Sequence, residues 1–379
     1  MRTVYIHAGT PKTGTTALQD FLPDNQAVLN RHGYAFPEVP FYFRGVAPHQ
    51  TAHFLAVWDP EGSVPEEWDR GFAIMEEALS RFDHVIFSDE QVWWRQHKEG
   101  FWEEVTRRVA AMGAVLKVVV YLRRQDEQIE SFYNEKVKGM PKLTMSFSEY
   151  VSEGWNDYFP LDYDSELDRF ASYIGEENVI VRTYEKSRFK GGNIFADFLD
   201  AVGLSLTDEY TLPARHANTR WPEHVVEVKR MVNAANAYHR RRVPNFYRDA
   251  IEAAYGIGTA KELPSQEYGM FSPEERKAFM AQYEDGNARV ARRFLHREDG
   301  VLFYEKQREL PQWKPDRKEL DEDVVRVLSG ADVYLYRQQE DIGERLQRLE
   351  DGVREAHEGI VMRLYRRLRE LPKRFNTRE

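Results

Sequence analysis

The stretch Gly9-Thr10-Pro11-Lys12-Thr13-Gly14-Thr15-Thr16 follows directly on the apolar run Val4-Tyr5-Ile6. A Gly-rich turn between a strand and a helix aims backbone N–H groups at one point. The helix N-terminus adds its positive end, and together they form an anion site. Thr15 and Thr16 would open the helix and add hydroxyl donors. The same threonines would also serve as a plain helix cap with nothing bound. A nucleoside-triphosphate loop reads G-x-x-x-x-G-K-[ST]. Glycines 9 and 14 keep that spacing, but Thr15 occupies the lysine position and Lys12 sits inside the loop. That displacement points to an anhydride other than the phosphate–phosphate bond of ATP.

Other residues with chemical potential follow apolar runs. Ser88-Asp89-Glu90 would bring carboxylates to a strand end, where one can accept a proton from an attacking hydroxyl. Glu90 is the candidate base, Asp89 its neighbouring alternative, and His49 and His53 rank below both. Either carboxylate would otherwise cap the helix that carries Val92, Trp93 and Trp94. Arg123-Arg124 follows another run, and the Arg123 fork suits bidentate hydrogen bonds to phosphate. Its bland alternative is an ion pair with Asp126 or Glu127.

The elements that must position these groups read as an α/β fold. Val4–His7, His84–Phe87, Lys117–Leu122 and Asn178–Arg182 are short apolar runs of the kind found in strands buried on both faces. Helix-like stretches lie between them, with Ala17, Leu18, Phe21 and Leu22 on one face, then Phe72 to Leu79, then Phe101 to Met112. This alternation predicts a three-layer fold of the P-loop type around a central parallel sheet. Ligands bind such sheets beyond the carboxyl ends of the strands. Here all four ends are polar, leading into Lys12, Ser88-Asp89-Glu90, Arg123-Arg124 and Tyr184-Glu185-Lys186.

At these residues the chain resembles the sulfotransferases that use 3′-phosphoadenosine 5′-phosphosulfate. Pro11-Lys12-Thr13-Gly14-Thr15-Thr16 is similar to their 5′-phosphosulfate loop. The family also places an arginine at a strand end and a serine eight positions later, both on the 3′-phosphate. Arg123 and Ser131 have that separation. Tyr184-Glu185, and Asp197-Phe198-Leu199 before Val202-Gly203-Leu204, look like the bacterial, carbohydrate-sulfotransferase-like branch. The likeness covers about the first 200 residues and thins out after about residue 310. Two departures stand out. Many relatives follow the arginine with Asn-Pro where this chain has Arg124-Gln125, and the family's last cofactor loop has no clear match.

The resemblance implies transfer of a sulfuryl group to a hydroxyl. Lys12 would stabilise the leaving phosphate, and Pro11 to Thr16 would hold the 5′-phosphosulfate. Arg123 and Ser131 would hold the 3′-phosphate, Tyr184 would lie near the adenine, and Glu90 would be the base. It implies no metal. The implied acceptor is a saccharide or glycolipid, with Trp93, Trp94 and Trp102 available to stack on sugar rings. The competing classes are an ATP- and magnesium-dependent phosphotransferase and a catalytically inactive nucleotide-binding protein.

The whole chain agrees with such a role. Its 379 residues suffice for one large domain with additions, and a net charge of -10 argues against nucleic acid as a partner. There is no cysteine, so disulfides and Cys-ligated zinc are excluded. The absence of a signal-peptide pattern or a long apolar run leads to the expectation of a cytoplasmic protein. Residues 1–315 read as the sulfotransferase domain, with 210–310 a mainly helical cap holding amphipathic segments at Val225–Val232 and Phe279–Leu295. Residues 316–379 read as a helical tail. In it Ile342, Leu346, Leu349, Val353, Ala356 and Ile360 recur in steps of four and three, which is heptad spacing. The tail ends rich in arginine. It would pair with another chain, touch anionic membrane lipid, or pack on its own domain.

Overall fold

The computed structural model describes residues 1–40, 49–59, 66–139, 143–154, 160–213, 220–238, 246–255, 267–305 and 309–370. Five parallel strands form one sheet in the order β2-β3-β1-β4-β5. They are β1 (Arg2–His7), β2 (Tyr34–Ala35), β3 (His84–Ser88), β4 (Ala114–Leu122) and β5 (Val179–Thr183). β1 lies at the centre, with Ile6 opposite Phe87 on one side and Val118 on the other. The four expected strands are present. The fifth, β2, spans only two residues, too few to show any periodicity, and it exists because Tyr34 and Ala35 pair with His84 and Val85.

Alternation along the strands divides the core into two layers. Tyr5, Ile86, Val119 and Tyr121 face one layer, covered by α1 (Thr15–Asp24) through Leu18, Phe21 and Leu22. Val4, Ile6, Phe87, Val118 and Val120 face the other. That side is covered by α2 (Glu66–Arg81), which buries Trp68, Phe72 and Met75. The short α3 (Gln91–Arg95) follows β3, and α4 (Phe101–Ala111) buries Phe101, Trp102 and Val105 on the same side. Then α5 (Gln125–Gly139) leaves the end of β4, α6 (Tyr163–Ile174) adds Leu167 and Phe170 to that layer, and α7 (Ile194–Ala201) returns to the α1 side. Apolar burial at about 25 cal/mol per Å² makes these two layers the main stabilising contribution.

The stretch expected to form a cap contains α8 (Glu223–Tyr238), α9 (Phe246–Ala254), α10 (Pro273–Ala281) and α11 (Glu284–Phe294). The amphipathic stretch 279–295 is broken rather than continuous: α10 ends at Ala281, and α11 starts at Glu284. The reason is a change of partner. α10 lies on α5, where Arg276 meets Asp126, whereas α11 lies on α6, where Arg289 meets Asp164. One long helix, α12 (Arg317–Glu370), ends the described chain. No helix among the described residues is long and apolar enough to cross a membrane.

Candidate active site

The site lies where β1, β3, β4 and β5 end. The loop after β1 is tied down strand by strand. Thr10 donates from its backbone N–H and its hydroxyl to the Tyr121 carbonyl, at 3.0 and 3.1 Å. Tyr121 N–H donates back to Gly9 O at 2.7 Å. Gln128, buried on α5, donates from Nε2 to Pro11 O at 2.7 Å. Thr13 donates its hydroxyl to the Thr10 carbonyl, so it braces the loop interior. Thr15 is buried and Thr16 exposed.

Two glycines and one lysine take left-handed backbone conformations. Gly14 has φ +80°, and a Cβ there would lie 2.5 Å from Ile194 Cδ1 and 3.3 Å from Tyr184 Cε2. No other residue type fits that turn without displacing those side chains. Lys12 has φ 65°, a conformation that costs a non-glycine residue about 1–2 kcal/mol. Such strain is stored where surrounding bonds over-determine the backbone. Here Arg123 Nη1 holds the Lys12 carbonyl at 3.3 Å and Gln128 holds the carbonyl before it. The first bond of α1 runs from Leu18 N–H to Gly14 O, at 3.2 Å. The amides of Thr15, Thr16 and Ala17 therefore point out of the helix end without intrahelical partners.

Arg123 stands at the end of β4, one-fifth exposed, with Nε 3.2 Å from Glu127 Oε2. The ion pair with Glu127 therefore exists alongside its contact to the loop. Its guanidinium lies 5.8 Å from the centre of the Tyr184 ring. Tyr184 is set by its N–H donating to Leu122 O at 2.7 Å, which fixes the ring between Gly14 and Arg123. Ser131 is half-buried on α5, two helical turns beyond Arg123. Arg124 turns away to Asp126, at 3.1 Å. Lys12 reaches α5 as well, with Nζ 3.1 Å from Glu135 Oε2. Burial alone would raise the Glu135 pKa, but the charges of Lys12, Lys138 and Arg248 and the Lys12 hydrogen bond bring it below its ordinary value.

The two carboxylates after β3 play different parts. Asp89 is fully buried and committed: Oδ1 accepts from Gln91 N–H at 2.8 Å, and Oδ2 lies 2.7 Å from His53 Nδ1. It is Asp89, not Glu90, that caps α3. Glu90 sits at the N-cap position with no side-chain capping bond. Its Cβ lies 3.0 Å from where a Gly9 side chain would begin, so Glu90 faces the loop. Among the described residues its Oε2 is buried without a hydrogen-bond partner. Burial, reinforced by the Asp89 charge, raises the Glu90 pKa, while Gln19 and Thr15 moderate the rise. His49 is half-buried in the preceding segment.

The tryptophan expectation fails in two of three places. Trp93 and Trp102 are at most 1% exposed and pack with Phe170 in the core, so neither can stack on a sugar. Trp94 is half-buried beside Phe132. Sequence reasoning also missed Gln128, Glu135 and the Asp89–His53 pairing. Gln128 and Glu135 share α5 with Ser131, so the helical face defined by Ser131 was the signal available for them.

No protein-family model matches this chain. An "uncharacterized protein" of Archaeoglobus fulgidus is 29% identical over 210 residues, covering 52% of this chain and 53% of that protein. The chain thus spans about half the length of the curated relative it matches. Among solved structures, a sulfotransferase from Alicyclobacillus acidocaldarius is similar at TM-score 0.35 and 16% identity, over 64% of this chain and 98% of that one. A likeness at that level leaves function to be argued from the site's own residues.

Proposed function

We propose that this chain is a sulfotransferase that moves a sulfuryl group from 3′-phosphoadenosine 5′-phosphosulfate to a hydroxyl of a saccharide or glycolipid. The observation that carries this reading is the junction of two anion-binding elements. Arg123, at the end of β4, hydrogen-bonds the backbone of Lys12 in the loop after β1. One donor with a phosphosulfate at one end and a 3′-phosphate at the other would engage both.

The residues fit that donor. The outward amides at the start of α1 suit its 5′ end, with Pro11, Thr13, Gly14 and Thr15 holding their shape and Thr16 adding an exposed hydroxyl. Arg123 and Ser131 would hold the 3′-phosphate, and Tyr184 would flank the adenine. The donor supplies a sulfuryl group activated as a mixed anhydride. As that bond breaks, negative charge grows on the bridging oxygen, and a cation placed there stabilises the transition state more than the ground state. Lys12 is that cation in this reading, exchanging Glu135 for the ligand. Glu90 would take the acceptor's proton. The loop lacks the lysine that follows the second glycine in triphosphate sites, which disfavours ATP.

Titration calorimetry of the intact protein separates the classes. Adenosine 3′,5′-bisphosphate is expected to bind without added metal and at least tenfold more tightly than ATP with magnesium. Preference for ATP with magnesium would reject the assignment.

A further inference from the structure

The lower part of α12 is anchored to the body. Val327 is buried, and the Arg326 guanidinium lies 5.2 Å from the Tyr255 ring centre. Gly330 lies so close to α9 that a Cβ would stand 2.5 Å from Ala254 Cβ. Beyond that anchor the helix leaves the body. Every side chain from Leu335 to His357 is exposed. At 1.5 Å per residue this stretch runs for roughly 30 Å.

That length carries an exposed apolar stripe. Ile342, Leu346, Leu349 and Val353 are 52–69% exposed, and Ala356 continues the same face. Their spacing of four, three, four and three sets Ile342, Leu349 and Ala356 at heptad position d, and Leu346 and Val353 at a. Leu335 falls on d one heptad earlier. Gln339 falls on a, the kind of polar core position that fixes register. The outward positions b, c and f between 340 and 355 are all polar: Glu340, Asp341, Glu344, Gln347, Arg348, Asp351, Arg354 and Glu355. Two ion pairs run along the helix surface, Arg345 at g to Asp341 at c at 3.6 Å, and Arg348 to Glu344 at 3.0 Å.

We propose that this stretch of α12 pairs with the same stretch of a second copy of this chain as a parallel two-stranded coiled coil. The flanking charges select the occupant and its orientation. Arg345 is at g and Glu350 at the following e, the two positions that meet across a parallel pair. Two identical chains in register therefore gain an Arg345–Glu350 contact on each side. An antiparallel pair sets g against g and e against e, which forfeits that match. A lipid surface would favour basic residues beside the stripe, whereas between 340 and 355 Glu340, Asp341, Glu344, Glu350, Asp351 and Glu355 outnumber Arg345, Arg348 and Arg354.

Sedimentation of the full chain tests this. The expected species at micromolar concentration is a dimer, twice the 44.6 kDa chain mass. Leu346→Glu with Leu349→Glu is expected to give monomers with unchanged thermal unfolding of the body, because both side chains are exposed. Glu350→Arg is expected to weaken the dimer at least tenfold, and Arg345→Glu added to it to restore most of the loss. A monomeric parent, or a dimer that survives the double leucine change, would overturn the proposal. Failure of the charge swap to restore pairing would overturn the parallel arrangement. So would a monomeric parent that binds anionic vesicles of phosphatidylserine and phosphatidylcholine only while Leu346 and Leu349 are present.

Discussion

At the scale of single residues, the site is organised by commitments. Asp89 is spent on His53 and on the Gln91 amide, and Thr13 on the loop interior, whereas Glu90 keeps a buried oxygen without a partner among the described residues. A general base must be deprotonated to act, and burial beside Asp89 holds Glu90 above its ordinary carboxylate value. Turnover at subsaturating acceptor should therefore rise with pH through a limb displaced upward from the ordinary glutamate range. Glu90→Gln should lower the rate by about 10²–10⁴ and remove that limb. A variant that keeps both rate and limb, alongside a His53→Asn variant that loses them, would move the proton acceptor to the histidine. In the sequence Lys12 stood out by its displaced place in the Gly/Thr loop, Arg123 by following an apolar run directly, and Glu90 by closing the polar triplet after one. Glu135 and Gln128 share a helical face with Ser131, but the sequence carries no mark of which neighbour each will meet. Trp93 and Trp102 misled for the converse reason: a tryptophan on a helix serves a core as readily as a binding surface.

At the scale of elements, α5 does the most positioning. One side of it supplies Gln128 to the loop and Glu135 to Lys12. Another carries the buried carboxylates Asp126 and Glu130, which hold the cap. Arg276 of α10 reaches both, with Nη1 and Nη2 each at 2.7 Å, and Arg220 adds a bond to Glu130 at 3.1 Å. The Met270 N–H also donates to Glu130, at 3.1 Å. Removing one member of a buried ion network leaves the others charged and uncompensated. Arg276→Ala should therefore cost about 3–5 kcal/mol in denaturant unfolding. A loss below about 1 kcal/mol would mean that the cap is held by apolar packing alone. β1, β3 and β4 were legible because burial on both faces demands unbroken apolar runs, whereas β5, at the sheet edge, alternates buried Val179, Val181 and Thr183 with half-buried Ile180 and Arg182. β2 was not, since two residues cannot show a period. The break between α10 and α11 was not either, because it follows from what each half packs against rather than from any local stop signal.

At the scale of the whole molecule, the topology explains why residues more than a hundred positions apart share one edge. β1 and β4 are neighbours in the centre of a parallel sheet, so the loop after one and the arginine after the other emerge side by side. His7, buried at the end of β1, joins Ser88 on the opposite neighbour at 2.9 Å, which aligns the third strand end with them. The claim that rests on this arrangement is that a single nucleotide spans both anion-binding elements. It is tested most directly by calorimetry with adenosine 3′,5′-bisphosphate and adenosine 5′-monophosphate, on the parent protein and on Arg123→Ala. Loss of the 3′-phosphate should weaken binding to the parent at least tenfold and binding to the variant hardly at all. Equal penalties in the two proteins would contradict the claim.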